Sequence, residues 1–214
     1  MQATLQKYLR TFSRLKRGNT PYGIAPHKPV LVLSLMEMVE KGIVHSNRFF
    51  VDAELVGIFQ ENWRLLVSTL HHADFTQPFY YMQSDKAEGN PFWFLQARQG
   101  CQITAHIKSF GKLREVVEYG YLADDLYQLF TDASSREVLR QALLGFYFPN
   151  AKQQFNEAKL EGKGFVRDLE EYILNEPEAR YRHIQIETEE DVFVRSGLFK
   201  KPSACRMMIR STMG

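Results

Sequence analysis

Apolar positions near the start of the chain recur every three or four residues. Leu5, Tyr8, Leu9, Phe12 and Leu15 form one stripe, while Lys7, Arg10, Arg14 and Arg17 follow the same spacing on another face, so a helix is predicted over 3–17. GNTPYG at 18–23 has the composition of a loop. The segment 29–41 is apolar nearly all round, with Val30, Leu31, Val32, Leu33, Leu35, Met36, Met38 and Val39, which predicts a central buried helix stopped by Gly42. A further helix over 52–68 places Leu55, Phe59 and Trp63 on one face, where they read as core. Between 74 and 110 the pattern shifts to short β-prone pieces around Phe75, Phe79 to Tyr81, Phe92 to Leu95, and Ile103, His106 and Ile107, broken by Pro78, SDKAEGN and Gly100. A small antiparallel sheet with a hairpin near Gln99-Gly100 is expected there. Helical periodicity returns over 112–118, 123–130 and 134–147, with Leu139, Leu143, Leu144 and Phe148 as a core stripe. The fold class is therefore α+β: a mainly helical domain over 1–150 with a small antiparallel sheet, then a helical extension over 151–214 that includes Phe165, Leu169, Tyr172, Ile173 and Leu174.

Charge changes the picture through its distribution, because the formal net charge of 214 residues is only +2. No acidic residue precedes Glu37, whereas Lys7, Arg10, Arg14, Lys16, Arg17 and Lys28 all do, and acids outnumber bases over 151–191. Such asymmetry points to contact with an anionic partner by the basic part. Cys101 and Cys205 stand far apart with no second ligand at metal-binding spacing, which argues against a disulfide framework or a zinc site. With no signal-peptide pattern and no apolar run of about 18 residues, a cytoplasmic, reducing setting without membrane contact is expected.

The candidate chemistry is binding. His27 and Lys28 immediately precede Pro29 and the apolar run, at the amino end of a predicted helix. That end already carries partial positive charge and unpaired N–H groups, so bases there are disfavoured unless an anion joins them; a phosphate would be held by the helix end and Lys28 together. No phosphate-binding glycine loop, Gly-x-Ser-x-Gly or His-x-x-x-His pattern is present, and no catalytic or metal-ligating residue is assigned. His71 and His72 are adjacent and read as a loop or helix-end pair unable to serve one site, and Asp124-Asp125 as a helix cap.

Several of these segments resemble, in order and spacing, the amino-terminal reader domain of bacterial HNH-type restriction endonucleases, the McrA-like, modification-dependent group that includes the DNA sulfur-binding domains. The matching elements are His27-Lys28-Pro29, the Leu55, Phe59, Trp63 spacing, Pro78-Phe79 followed by Pro91-Phe92-Trp93-x-Leu95, and Asp124-Asp125-Leu126 with Arg136 and Leu139. The resemblance implies double-stranded DNA as partner, phosphorothioate-modified DNA included, with His27, Lys28, Asn90, Pro91 and Phe92 forming a sulfur-binding concavity. Asn90 stands where those domains typically place an aromatic. Backbone contacts are expected from Arg10, Arg14, Arg17, Lys108 and Lys112. VFVRSGLF at 192–199 is similar to the lead-in to the HNH nuclease module, but PSACRMMIRSTMG follows it, so 151–214 reads as a linker and truncated lead-in. No cofactor is expected in this chain; a divalent metal belongs to the absent nuclease module. The alternatives are a reader of another modification or of unmodified duplex, and a protein-interaction module whose basic helix meets an acidic partner.

Overall fold

A computed structural model describes residues 1–103 and 107–160. The expectations placed on His106, the acidic stretch beyond 160 and the 192–199 lead-in lie outside the described residues. Residues 1–159 form one compact unit. Its elements are, in order, helix α1 (Gln2–Phe12), the short strands β1 (Asn19–Thr20) and β2 (Gly23–Ile24), α2 (His27–Glu40), β3 (Phe49–Phe50) and α3 (Ala53–Leu66). There follow α4 (Thr76–Tyr81), a 3-10 turn (Met82–Ser84), β4 (Lys86–Ala87), β5 (Asn90–Pro91) and β6 (Trp93–Ala97). The unit continues with α5 (Phe110–Val116), β7 (Val117–Leu122), α6 (Asp124–Thr131) and α7 (Ala133–Tyr147), and residues 152–160 are again helical. The fold is α+β and mainly helical.

Helix α2 is the hub because its sequence leaves almost no polar face. Eleven of its residues are buried, Lys28 and Glu37 among them, and it packs against α3, α4, α6 and α7. Full burial of each large aliphatic there contributes roughly 1.5–3 kcal/mol. Past its end Gly42 takes φ +65°, its N–H bonds Val39 O and the Ile43 N–H bonds Met38 O, both at 3.1 Å, a Schellman closure that satisfies the last carbonyls.

The three-stranded antiparallel sheet has the order β3-β7-β6 and lies beside this helical core. Trp93 faces inward from β6, fully buried, and its Nε1–H donates to Phe79 O at 2.8 Å. The partner strand makes room for the indole with Gly120, where a Cβ would stand 2.2 Å from the Trp93 ring.

Three local expectations are corrected. The aromatics of TQPFYY read as β-prone, yet they form α4, because the Asp74 side chain accepts from the Thr76 N–H and Pro78 sits in the first turn, where its missing N–H costs nothing. Gln99-Gly100 does turn, but β6 pairs with β7 across α5, and among the described residues of this stretch the one tight strand hairpin, β4 to β5, turns at Glu88-Gly89. Asp124 and Asp125 do not cap α6 with their side chains. Asp125 instead accepts from Lys7 Nζ and from Tyr8 Oη, tying α6 to α1. The compact unit also runs beyond 150: Phe155 is buried, and Lys159 Nζ lies 2.9 Å from both Glu37 and Glu61.

Candidate nucleic-acid interface

A cleft of about 650 Å³ opens where four segments meet: the connection after α1, the β1–β2 hairpin, the start of α2, and the loop running from 68 into α4. Helix α1 stops at Phe12, earlier than its periodicity suggests, and the hydroxyl of Tyr147 donates to Phe12 O while accepting the Leu15 N–H at 3.2 Å. This redirects the chain so that Lys16 and Arg17 border the cleft, with the Arg17 guanidinium 4.4 Å from the Tyr147 ring centre. Helix α2 begins beside it with no side-chain cap, so the His27 and Lys28 N–H groups have no side-chain partner from the cap position, and Ala25, His27 and Lys28 line the cavity.

Lys28 is nearly buried and its Nζ is ion-paired with the carboxylate of Asp85, itself 3% exposed. Asp85 also takes the Lys16 N–H at 2.7 Å, and Lys16 Nζ reaches Ser84 O at 3.2 Å. The positive charge of Lys28 is therefore matched within the fold, and the cations left to meet a ligand are Lys16 and Arg17. His27 donates from Nε2 to His72 O at 2.8 Å, and its ring centre lies 4.6 Å from that of Trp63. Burial pulls its pKa below the ordinary histidine value, with the His72 hydrogen bond only partly opposing this, so it enters the cleft chiefly as a neutral ring. His71 is buried between two hydroxyls, Thr20 Oγ1 at Nε2 and Thr69 Oγ1 at Nδ1, each at 2.7 Å. Thr20 Oγ1 also reaches Gly23 O at 2.9 Å, so His71 joins the hairpin to the 69–71 loop.

The adjacent histidines were expected to part company, yet both border this cleft, because a loop does not impose the face alternation of a strand or helix. Ala25, Pro78 and Tyr81 add carbon to the lining. Asp74 lines the cleft as well, but its carboxylate is engaged at the start of α4.

Of the expected concavity, the structure brings His27 and Lys28 together but not Asn90, Pro91 or Phe92. Asn90 and Pro91 are exposed on β5, Pro91 paired with Lys86 across a tight hairpin whose turn residues Glu88 and Gly89 have φ of 49° and 86°. Phe92 is fully buried, edge-on to Tyr8 and Phe12 at 6.3 and 5.8 Å, and serves the core. The proline that shares the cleft with His27 and Lys28 is Pro78, carried there by the docking of α4 on α2.

Among the backbone-contact candidates, Arg10 and Arg14 are exposed and neither side chain has a partner among the described residues. Lys108 is exposed, and Lys112 is held by Glu115 at 3.1 Å on the surface of α5; neither borders the cleft. Lys7 is not free, because Asp125 neutralises it. Burial alone would raise the Asp125 carboxyl, but the Lys7 and Tyr8 bonds outweigh it and hold it below the usual carboxylate range. Sequence reasoning missed Asp85, Thr20 and Pro78. Only Pro78 left a trace, as the first of two Pro-Phe pairs.

Among the described residues no helix is long and apolar enough to cross a membrane, and no group of three or more His, Cys, Asp or Glu is placed to hold a metal. In comparisons with known proteins, no family model and no curated protein matches this chain.

Proposed function

We propose that residues 1–159 are a DNA-reading domain that seats one backbone phosphate in the cleft, in the manner expected of the reader part of an HNH-type restriction endonuclease. The observation that carries this reading is the composition of the cleft: Lys16, Arg17 and the start of α2, which has no side-chain cap, supply positive potential, and Ala25, Pro78 and Tyr81 supply carbon. A phosphate oxygen pressed against that carbon wall loses hydration without a partner, whereas the larger, softer sulfur of a phosphorothioate is a weak acceptor and loses little. The arrangement therefore favours phosphorothioate over ordinary DNA, with the anionic charge read by the cations and the sulfur by the wall. Pro78 and Tyr81 take the role that the resemblance implied for Pro91.

Competition between duplexes of one sequence, with and without a single phosphorothioate of defined stereochemistry, tests it. The expected result is tighter binding of the modified duplex by a factor that persists at high salt, since counterion release is common to both duplexes. Equal affinity across salt concentrations would leave a reader of unmodified DNA. No binding to any duplex would remove the DNA reading altogether.

A further inference from the structure

The β1–β2 hairpin displays one aromatic ring at the mouth of the cleft, and its construction holds that ring in place. Thr20 Oγ1 donates to Gly23 O at 2.9 Å, accepts the Tyr22 N–H at 3.1 Å, and is joined to His71 at 2.7 Å. Pro21 fixes one turn dihedral and Gly23 takes φ +103°, a conformation that residues with a Cβ rarely adopt. The pairing of Thr20 with Gly23 continues in the bond from the Ala25 N–H to Gly18 O at 2.9 Å. Tyr22 is thus carried on a short, braced turn. Its ring stands edge-on to His71 at 5.8 Å and 79°, yet it remains 48% exposed, and its hydroxyl has no partner among the described residues.

An exposed tyrosine alone means little. This one lines the same cleft as Lys16 and Arg17, and Ile24 at 57% exposure stands beside it in the hairpin. The geometry points to a nucleobase-stacking site: Tyr22 receives the face of a base that is turned out of the duplex stack and belongs to a nucleotide next to the phosphate in the cleft. The inference rests on the DNA-reading function and deepens it. Cations recognise any polyanion, but a flat ring beside a phosphate seat matches the alternation of charge and π-face that an unstacked nucleotide presents. Thr20 and His71 are positioning residues in this scheme, because they act by fixing the turn.

The test uses the full chain, with Tyr22→Phe, Tyr22→Leu and Tyr22→Ala, and measures fluorescence anisotropy with duplexes intact or abasic at each nucleotide flanking the bound phosphate. Far-ultraviolet circular dichroism and urea midpoints equal to wild type verify the fold of each variant, and Tyr22→Leu retains apolar bulk if Tyr22→Ala fails that check. The expected outcome is that Tyr22→Phe binds as wild type, while Tyr22→Leu and Tyr22→Ala lose about tenfold in affinity with the same salt dependence. An abasic residue at one flanking position should cost the wild type a similar factor and cost Tyr22→Ala nothing more. Wild-type affinity in Tyr22→Ala, or equal abasic penalties in wild type and Tyr22→Ala, overturns the stacking site while leaving phosphate reading intact. Absence of DNA binding by the wild type overturns both.

Discussion

Asp85→Asn removes the charge that matches Lys28 while keeping an acceptor for the Lys16 N–H. The side chains of Lys28 and Asp85 are 10% and 3% exposed, close to the buried limit. Breaking a buried pair by removing one partner costs about 3–5 kcal/mol, against about 0.2–1 for an exposed pair. Because Lys28 borders an open cleft and can recruit water or an anion, the lower end applies, about 3 kcal/mol. For a unit of this size each kcal/mol shifts Tm by roughly 2–4 °C, so a loss of about 6–12 °C is expected. Both tryptophans of the chain, Trp63 and Trp93, are buried in the compact unit, so urea titration followed by tryptophan fluorescence reports this equilibrium directly. Combining Asp85→Asn with Lys28→Met removes both charges, and the double-mutant cycle is expected to show a coupling of about 2–3 kcal/mol. A second signature separates burial from function: with Asp85 neutralised, the freed Lys28 should strengthen duplex binding and steepen the slope of log K against log salt by up to about 0.9. A coupling below about 1 kcal/mol, as an exposed pair gives, together with an unchanged slope, refutes the claim that Asp85 absorbs the charge of Lys28.

Gly120→Ala drives a methyl to within 2.2 Å of a Trp93 ring that its hydrogen bond to Phe79 O holds in place, so a loss of about 1–3 kcal/mol or more is expected in the urea midpoint; an unchanged midpoint contradicts the packing described. Replacing Arg10, Arg14 and Arg17 together by Gln should weaken binding to all duplexes alike and lower the salt slope by at most about 3, whereas an unchanged slope assigns them to solvent. His27 has a folded-state pKa below its unfolded value, so between those two values the unfolded chain binds more protons and stability rises with pH. Its contribution is full above the unfolded pKa and is lost as pH falls through the folded one; His27→Gln should flatten that part of the stability profile measured by urea titration, and an identical profile rules the contribution out.

How much was legible depended on whether the determining forces were local. Helix α2 was readable because apolarity on every side leaves burial as the one solution and Gly42 marks the stop. Strand β7 was not, since Gly120 in VEYGYL looks like a breaker until the indole of Trp93 is seen to occupy the space above it. Helix α4 was hidden by aromatic β-propensity, which its capping by Asp74 and packing on α2 override. At the site, His27 and Lys28 stood out because bases at a helix start conflict with its dipole. The resolution of that conflict, Asp85, lies 57 positions along the chain with no local mark. Choosing between Pro78 and Pro91 likewise required the docking of α4, since both precede a phenylalanine.

Tyr147 closes the loop between the two ends of the compact unit. It bonds Phe12 and Leu15, 135 and 132 positions away, and carries Arg17 on its ring. On a ribosome, the basic amino-terminal segment emerges long before the residue that shapes it. Until α7 has been made, the Phe12 carbonyl and the Leu15 N–H lack the hydroxyl that joins them, and Arg17 lacks the ring it rests on. The cationic edge of the cleft is therefore completed last: a nascent or shortened chain ending ahead of Tyr147 carries all of the cleft's residues without the ring that directs Arg17.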